Sequence, residues 1–203
     1  IDASPSATEN PIPDAEGEYY GFIPVGRSIN AGELSDDVNQ FKGSYNGGEY
    51  KIDGLMINMA LGGHTGLFAY AFNASFSNID ISNVDIDGIS MIGGLTGLFI
   101  CDGSAQEKLE NISVSGALRG NHLLGGIAGQ ISSGENSSVI ISNNEVDVTI
   151  YSNDAYVVGG LVGMISGNNV SISHSSVIGE INDTQDFYEV GGLVGLFSGD
   201  NSY

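Results

Sequence analysis

The chain has 203 residues, with 25 Asp and Glu against 5 Lys and Arg for a formal net charge of −20, and 41% of its residues are hydrophobic. A surface of one sign repels phosphate backbones and anionic headgroups, which sets nucleic-acid and membrane-surface binding aside, and the apolar content is too high for a disordered acidic tail. Cys101 is the one cysteine, so an intramolecular disulfide and any multi-cysteine metal or redox site are excluded.

In chain order, residues 1–19, rich in acids, Ser and Pro (5, 11 and 13), read as an extended arm or linker. The start at Ile1 rather than Met reads as a processed form or an excised piece. A lead-in follows over 20–61. Within it Gly32–Phe41, where Ser35-Asp36-Asp37 offers a cap, is a modest helix candidate. No apolar run reaches the roughly 18–20 residues of a membrane-spanning helix, so no membrane insertion is expected.

From residue 62 the pattern Gly-Gly-x-x-Gly recurs five times. It occupies Gly62, Gly63, Gly66; Gly93, Gly94, Gly97; Gly125, Gly126, Gly129; Gly159, Gly160, Gly163; and Gly191, Gly192, Gly195. The first glycines step by 31, 32, 34 and 32 residues. Other columns keep the same period. One is apolar (Phe76, Leu109, Ile141, Ile172), the next polar (Asn78, Asn111, Asn143, His174), and the third apolar again (Ile81, Val114, Val146, Val177). Between anchors, Ile79–Asp87 and Val139–Ile150 alternate apolar and polar residues, rich in Ile and Val, as strands do.

A unit of this size cannot bury its apolar face alone, whereas stacked copies bury a continuous core. The pattern therefore predicts an all-β fold, a parallel β-helix (β-solenoid) of about 32-residue coils over 20–203, with an incomplete last coil at 190–203. Like residues would stack on like about 4.8 Å apart, so equivalent Asn amides could bond up the stack as in cross-β ladders. The glycines would serve close backbone approach or a positive φ at a corner. A propeller is the rival, but its blades are longer and carry aromatic markers, and Trp is absent.

Val-Gly-Gly-Leu-Val-Gly (158–163 and 190–195), followed by Ser-Gly-Asn/Asp-Asn, resembles the GLUG repeat of bacterial surface proteins. The stretches 21–26 and 41–57 are similar to the lead-in that often precedes such repeats. His64 and Thr65, inside the first anchor, and Asn46, in the lead-in, depart from that pattern. The resemblance implies a secreted or cell-surface location and a right-handed parallel β-helix of the kind found in large adhesins and in non-catalytic N-terminal regions of some IgA-specific metallopeptidases.

Chemistry finds little to stand on. A zinc peptidase needs two His at i, i+4 with a Glu between them, but His64, His122 and His174 are far apart and in different columns. The Gly-rich anchors lack the Lys and the following helix of a phosphate loop. Asp80 and Glu145 share a column two coils apart, roughly 9–10 Å by strand spacing, which would suit an inverting glycosidase pair. The chain is nonetheless read as having no catalytic residues and no cofactor. Calcium is the alternative, with candidate carboxylates Asp80, Asp85 and Asp87, and Asp183, Asp186 and Glu189. Neither group has EF-hand spacing, and a diffuse cation-attracting surface is the plainer reading.

The function expected is therefore non-enzymatic: an extracellular surface or adhesin segment, acting as spacer and binding scaffold. Its partner would be a protein or glycan on a host or matrix surface, contacted by loops at Asp102–Lys108, Ser133–Ser138 and Asn182–Glu189. Two alternatives stand behind it. One is a structural subunit binding copies of itself head to tail through open solenoid ends; the other is a glycan-active β-helix enzyme.

Overall fold

The computed structural model describes residues 21–26, 39–59, 63–152, 156–183 and 189–199. Residues 1–19, Gly62 and Asp186 lie outside them, as does the helix candidate apart from its last three residues, of which Phe41 opens the first strand. The described residues form strands and turns with no helix.

A lead-in coil carries β1 (Phe41–Asn46), β2 (Lys51–Asp53) and β3 (Met56–Asn58). The first repeat coil is β4 (His64–Thr65) and the long β5 (Phe68–Asp87). The second is β6 (Met91–Gly93), β7 (Thr96–Cys101) and β8 (Gln106–Gly120). The third is β9 (Leu123–Gly125), β10 (Ala128–Ser133), β11 (Ser138–Ser142) and β12 (Glu145–Ser152). The fourth is β13 (Val157–Gly159), β14 (Val162–Gly167), β15 (Val170–Ser173) and β16 (Ser176–Asp183), and the fifth begins with β17 (Glu189–Gly191) and β18 (Val194–Ser198).

Each strand pairs in parallel with its equivalent one coil away, as in β17-β13-β9-β6-β4. The result is a parallel β-solenoid of about five turns, about 32 residues apart. The register joins the columns legible in the sequence. Phe76 pairs with Leu109, Leu109 with Ile141 and Ile141 with Ile172, while Ile81, Val114, Val146 and Val177 form another unbroken column. Except at the last coils these side chains are buried in one core. At roughly 25 cal/mol per Å² of apolar surface, repeated burial of Val, Ile and Leu is the term that holds such a stack together.

Glycine and asparagine divide the corners between them. None of the described anchor glycines has a positive φ; those of the inner coils stand where neighbouring backbone comes close. A Cβ on Gly125 would strike the Ala128 carbonyl and the Gly163 amide, and one on Gly126 would strike Val146 and the Gly160 carbonyl. The polar column instead takes the left-handed turn. Asn78, Asn111, Asn143 and His174 have φ of 53°, 55°, 55° and 49°, a conformation that Asn tolerates better than most L-residues. The lowest rungs also bond: Asn78 donates to Asn46 Oδ1 at 3.2 Å and Asn111 to Asn78 Oδ1 at 3.0 Å.

One inward column changes character. Register places Asn144 above Ile112, and Ile112 above Ile79. Asn144 is fully buried, yet its amide donates to the Leu109 carbonyl at 3.0 Å and accepts from the Ile112 amide at 2.9 Å. Both bonds reach down to the coil below, so the buried polar group is satisfied rather than stranded. It belongs to none of the three columns that stand out in the sequence, although a change from Ile to Asn at one repeat position is itself a legible signal.

Candidate binding face

The strands that follow the asparagine corner point every second side chain outward, giving a grid with one row per coil. In the lead-in the row is Lys51, Asp53, Met56 and Asn58. Above it come Asp80, Asp85 and Asp87, and then Ser113, Ser115, Ala117 and Arg119. The next rows are Glu145, Asp147, Thr149 and Tyr151, then Ser176, Ile178, Glu180 and Asn182. In the first repeat coil an extra residue bulges the strand between Ile81 and Val84. There Ser82 and Asn83 both donate to Asp53 Oδ1, at 2.5 and 2.8 Å, and these hydrogen bonds hold the Asp53 carboxyl below its ordinary range.

Within the strand registers no carboxylate faces another one coil away. Asp80 faces Lys51 with a 3.6 Å ion pair on one side and Ser113 on the other; Ser113 in turn separates it from Glu145. Asp87 faces Asn58 and Arg119. Like charges opposed at one strand spacing are destabilising. Two spacings, about 9.5 Å, bring them near the Debye length at physiological salt. A highly acidic chain thus stacks without stacking its charges.

The metal candidates divide accordingly. Asp80 and Asp85 are each engaged by a cation, Lys51 and Arg119 respectively. At Asp87 partial desolvation pushes the carboxyl above the ordinary value, opposed by Arg119. The Asp183 side chain and Asp186 lie outside the described residues, and Glu189 opens β17, paired with Val157. Among the described residues no group of three His, Cys, Asp or Glu is placed to hold a metal ion. The three histidines stay apart: His64 lies in β4 beside Tyr70 (6.1 Å between rings), His122 beside Tyr156 (5.5 Å), and His174 at its corner. Asp80 and Glu145 stand two coils apart on an open face, not across a cleft.

The loops expected to make contacts are shorter than the sequence suggests. Strand β8 already starts at Gln106 and β11 at Ser138, leaving tight turns near 102–105 and 134–137; of the third loop Asn182 lies inside β16 and Glu189 opens β17, while 184–188 lie outside the described residues. Polar alternation on an outward strand face has the look of a loop. The second turn is pinned by Ser137, whose Oγ donates to the Cys101 carbonyl at 2.8 Å. Cys101 itself is buried, and that burial raises its thiol pKa, so it is a packing residue.

The mixed chemistry of the grid collects at its far edge. Arg119 pairs with Asp85 and lays its guanidinium over the Tyr151 ring, 5.2 Å from the centroid. Just past the same corner His122 meets Tyr156 edge to face. Both tyrosines are exposed, at 44% and 53%.

Among curated proteins, an immunoglobulin A1 protease of Streptococcus pneumoniae is 29% identical over 167 residues, covering 76% of this chain and 8% of that protein. An immunoglobulin A1 protease of Streptococcus pneumoniae (strain ATCC BAA-255 / R6) is 32% identical over 111 residues, 54% of this chain and 5% of that protein. No family model matches the chain, and no solved structure matches it. The chain is therefore similar, over much of its length, to less than a tenth of the immunoglobulin A1 proteases it matches.

Proposed function

We propose that the chain is a non-catalytic β-solenoid segment of a secreted or surface-attached protein, of the GLUG-repeat kind, working as a spacer and binding scaffold. The observation that carries this reading is the grid itself. Each coil repeats the same inward columns for packing and spreads its titratable side chains over an outer face, where they are spaced rather than gathered. Catalysis requires groups converging within hydrogen-bond reach of one another or of a substrate; a scaffold requires a stiff stack with variable outward residues. The relatives are named proteases, and a match confined to 5–8% of such proteins suits a part lying apart from their catalytic machinery.

The test is to incubate the purified chain with immunoglobulin A1 and with neutral oligosaccharides, following products by mass spectrometry. Light scattering would report its size. Intact substrates and a concentration-independent monomer are expected. Cleavage of either substrate would overturn the non-catalytic reading. Concentration-dependent rods would favour the head-to-tail subunit instead.

A further inference from the structure

We propose that residues 21–26 form an occluding strap, holding the places at the lower end of the stack that the upper end of a second copy of this chain would otherwise take. Two isolated bridges tie the strap down. Gly21 pairs antiparallel with Ile57 of β3, and Phe22 donates its amide to the Met56 carbonyl at 2.8 Å. Val25 then pairs in parallel with Phe68 of β5, donating to the Leu67 carbonyl at 3.0 Å and accepting from the Ala69 amide at 2.7 Å. Between these points Pro24 is buried and Phe22 packs against the core. The coils pair in parallel, so the antiparallel bridge beneath β3 departs from the sense in which another coil would pair.

Register shows what the strap keeps out. The described strands of the fifth coil are β17 and β18, whereas the lead-in coil carries β1 to β3 in the columns that β15 and β16 continue in the fourth coil. Two copies set head to tail would therefore share one complete coil. In it the upper copy would lay Tyr45 on Ile172 and Ile52 on Val177, apolar on apolar, and Lys51 on Ser176. The contact would also cover Val190, Leu193 and Phe197, which are 47%, 43% and 42% exposed at the upper end. The column above Ile57 ends at Ile181, and the column above Phe68 ends at Val194. Joining the copies thus requires Ile181 of one to lie under Ile57 of the next, and Val194 under Phe68. Those are the places Gly21 and Val25 occupy. A contact of this kind does not close, and open strand edges are templates for it. The strap blocks it with backbone bonds that a second copy would have to displace.

The test is light scattering over a range of concentrations, with negative-stain microscopy and circular dichroism. It compares the intact chain with Phe22→Pro/Val25→Pro, which removes both amide donors of the strap. The intact chain should stay monomeric. The folded double variant should gain mass with concentration and form rods that lengthen by one chain at a time. Adding Phe197→Asp, which sets a charge on the apolar upper end, should return it to monomers. Gly21→Val strains only the φ of 70°; it should give a weaker form of the same association, and it carries the test if the double variant does not fold. The strap is overturned if the intact chain polymerises, if the folded strap variants stay monomeric, or if Phe197→Asp leaves the rods unchanged. Monomeric strap variants that cleave nothing sink the strap and leave the scaffold standing. Substrate cleavage alongside strap-dependent rods would keep the strap and sink the non-catalytic reading.

Discussion

The first coils and the middle coils fill the same bore with different side chains. Near the lead-in the core is aromatic: Phe68 lies 4.7 Å from both Phe41 and Phe76, and Tyr45 packs on it edge-on at 5.5 Å. In the coils above, the column of Phe76 holds Leu109 and then Ile141, and that of Phe68 holds Thr96, Ala128 and Val162 in turn. The exchange is one of volume. Where Phe68 and Phe76 are large, Ala71 and Ala74 are small and fully buried, and directly above Ala71 stands Phe99. A solenoid core tolerates a varied residue in any column provided each coil keeps its total, because interiors are packed to near-crystalline density.

The most damaging way to break that balance is Phe76→Ala, which should cost about 3–5 kcal/mol in denaturant unfolding. Its converse, Leu109→Phe, should cost about 1–3 kcal/mol by overpacking, because no neighbour has given up the volume. Equal tolerance of Phe in both coils would show the volume argument to be wrong.

Next in size is the anchor. Gly125→Ala, whose Cβ meets backbone on two sides, should destabilise by about 3 kcal/mol. Gly192→Ala at the equivalent of Gly126, with nothing within 4 Å, should be nearly silent in the same melting assay.

The middle coils are sharpened by Asn144, the one fully buried side-chain amide among the described residues. Asn144→Ala strips the partner from the Ile112 amide and should cost about 1–3 kcal/mol. Asn143→Gly, which keeps the positive φ without a side chain, should lie within about 0.5 kcal/mol of the parent. If these neighbouring asparagines proved equivalent, the division between corner and core would fail.

The smallest effects are on the acidic face. A raised carboxyl pKa in the fold means the Asp87 carboxylate opposes folding at neutral pH. That penalty is relieved as the pH falls through the raised value and is gone below the ordinary one. Solvent screens this exposed side chain, so Asp87→Asn should stabilise only slightly at pH 7, with the gain fading on acidification. Asp53, held low by Ser82 and Asn83, has the opposite sign. Its contribution is present above the ordinary Asp value and is lost as the pH drops through the lowered one, so Asp53→Asn should weaken the neutral protein and not the acid one. Paired thermal melts from pH 7 to pH 3 would separate them.

Much of this architecture is legible in the amino-acid sequence. A five-fold glycine pattern with three accompanying columns requires stacking, because a 32-residue unit has no other way to bury its Ile and Val. Parallel stacking at one strand spacing then sets which residues meet across coils, from Phe76 and Leu109 to Asp80 and Ser113. That is register, and it follows from counting. What counting cannot supply is which backbone atoms approach closest and which way the chain turns. Only the tertiary structure shows that the anchor glycines make room for neighbouring coils while the asparagine column carries the left-handed corner. It also decides that Asn144 points inward and Asn143 does not, since a single step along a strand reverses the face. The contacts of Arg119 with Tyr151 and of His122 with Tyr156 need both: counting one coil brings the residues side by side, and only the tertiary structure shows the guanidinium over one ring and the imidazole meeting the other edge to face.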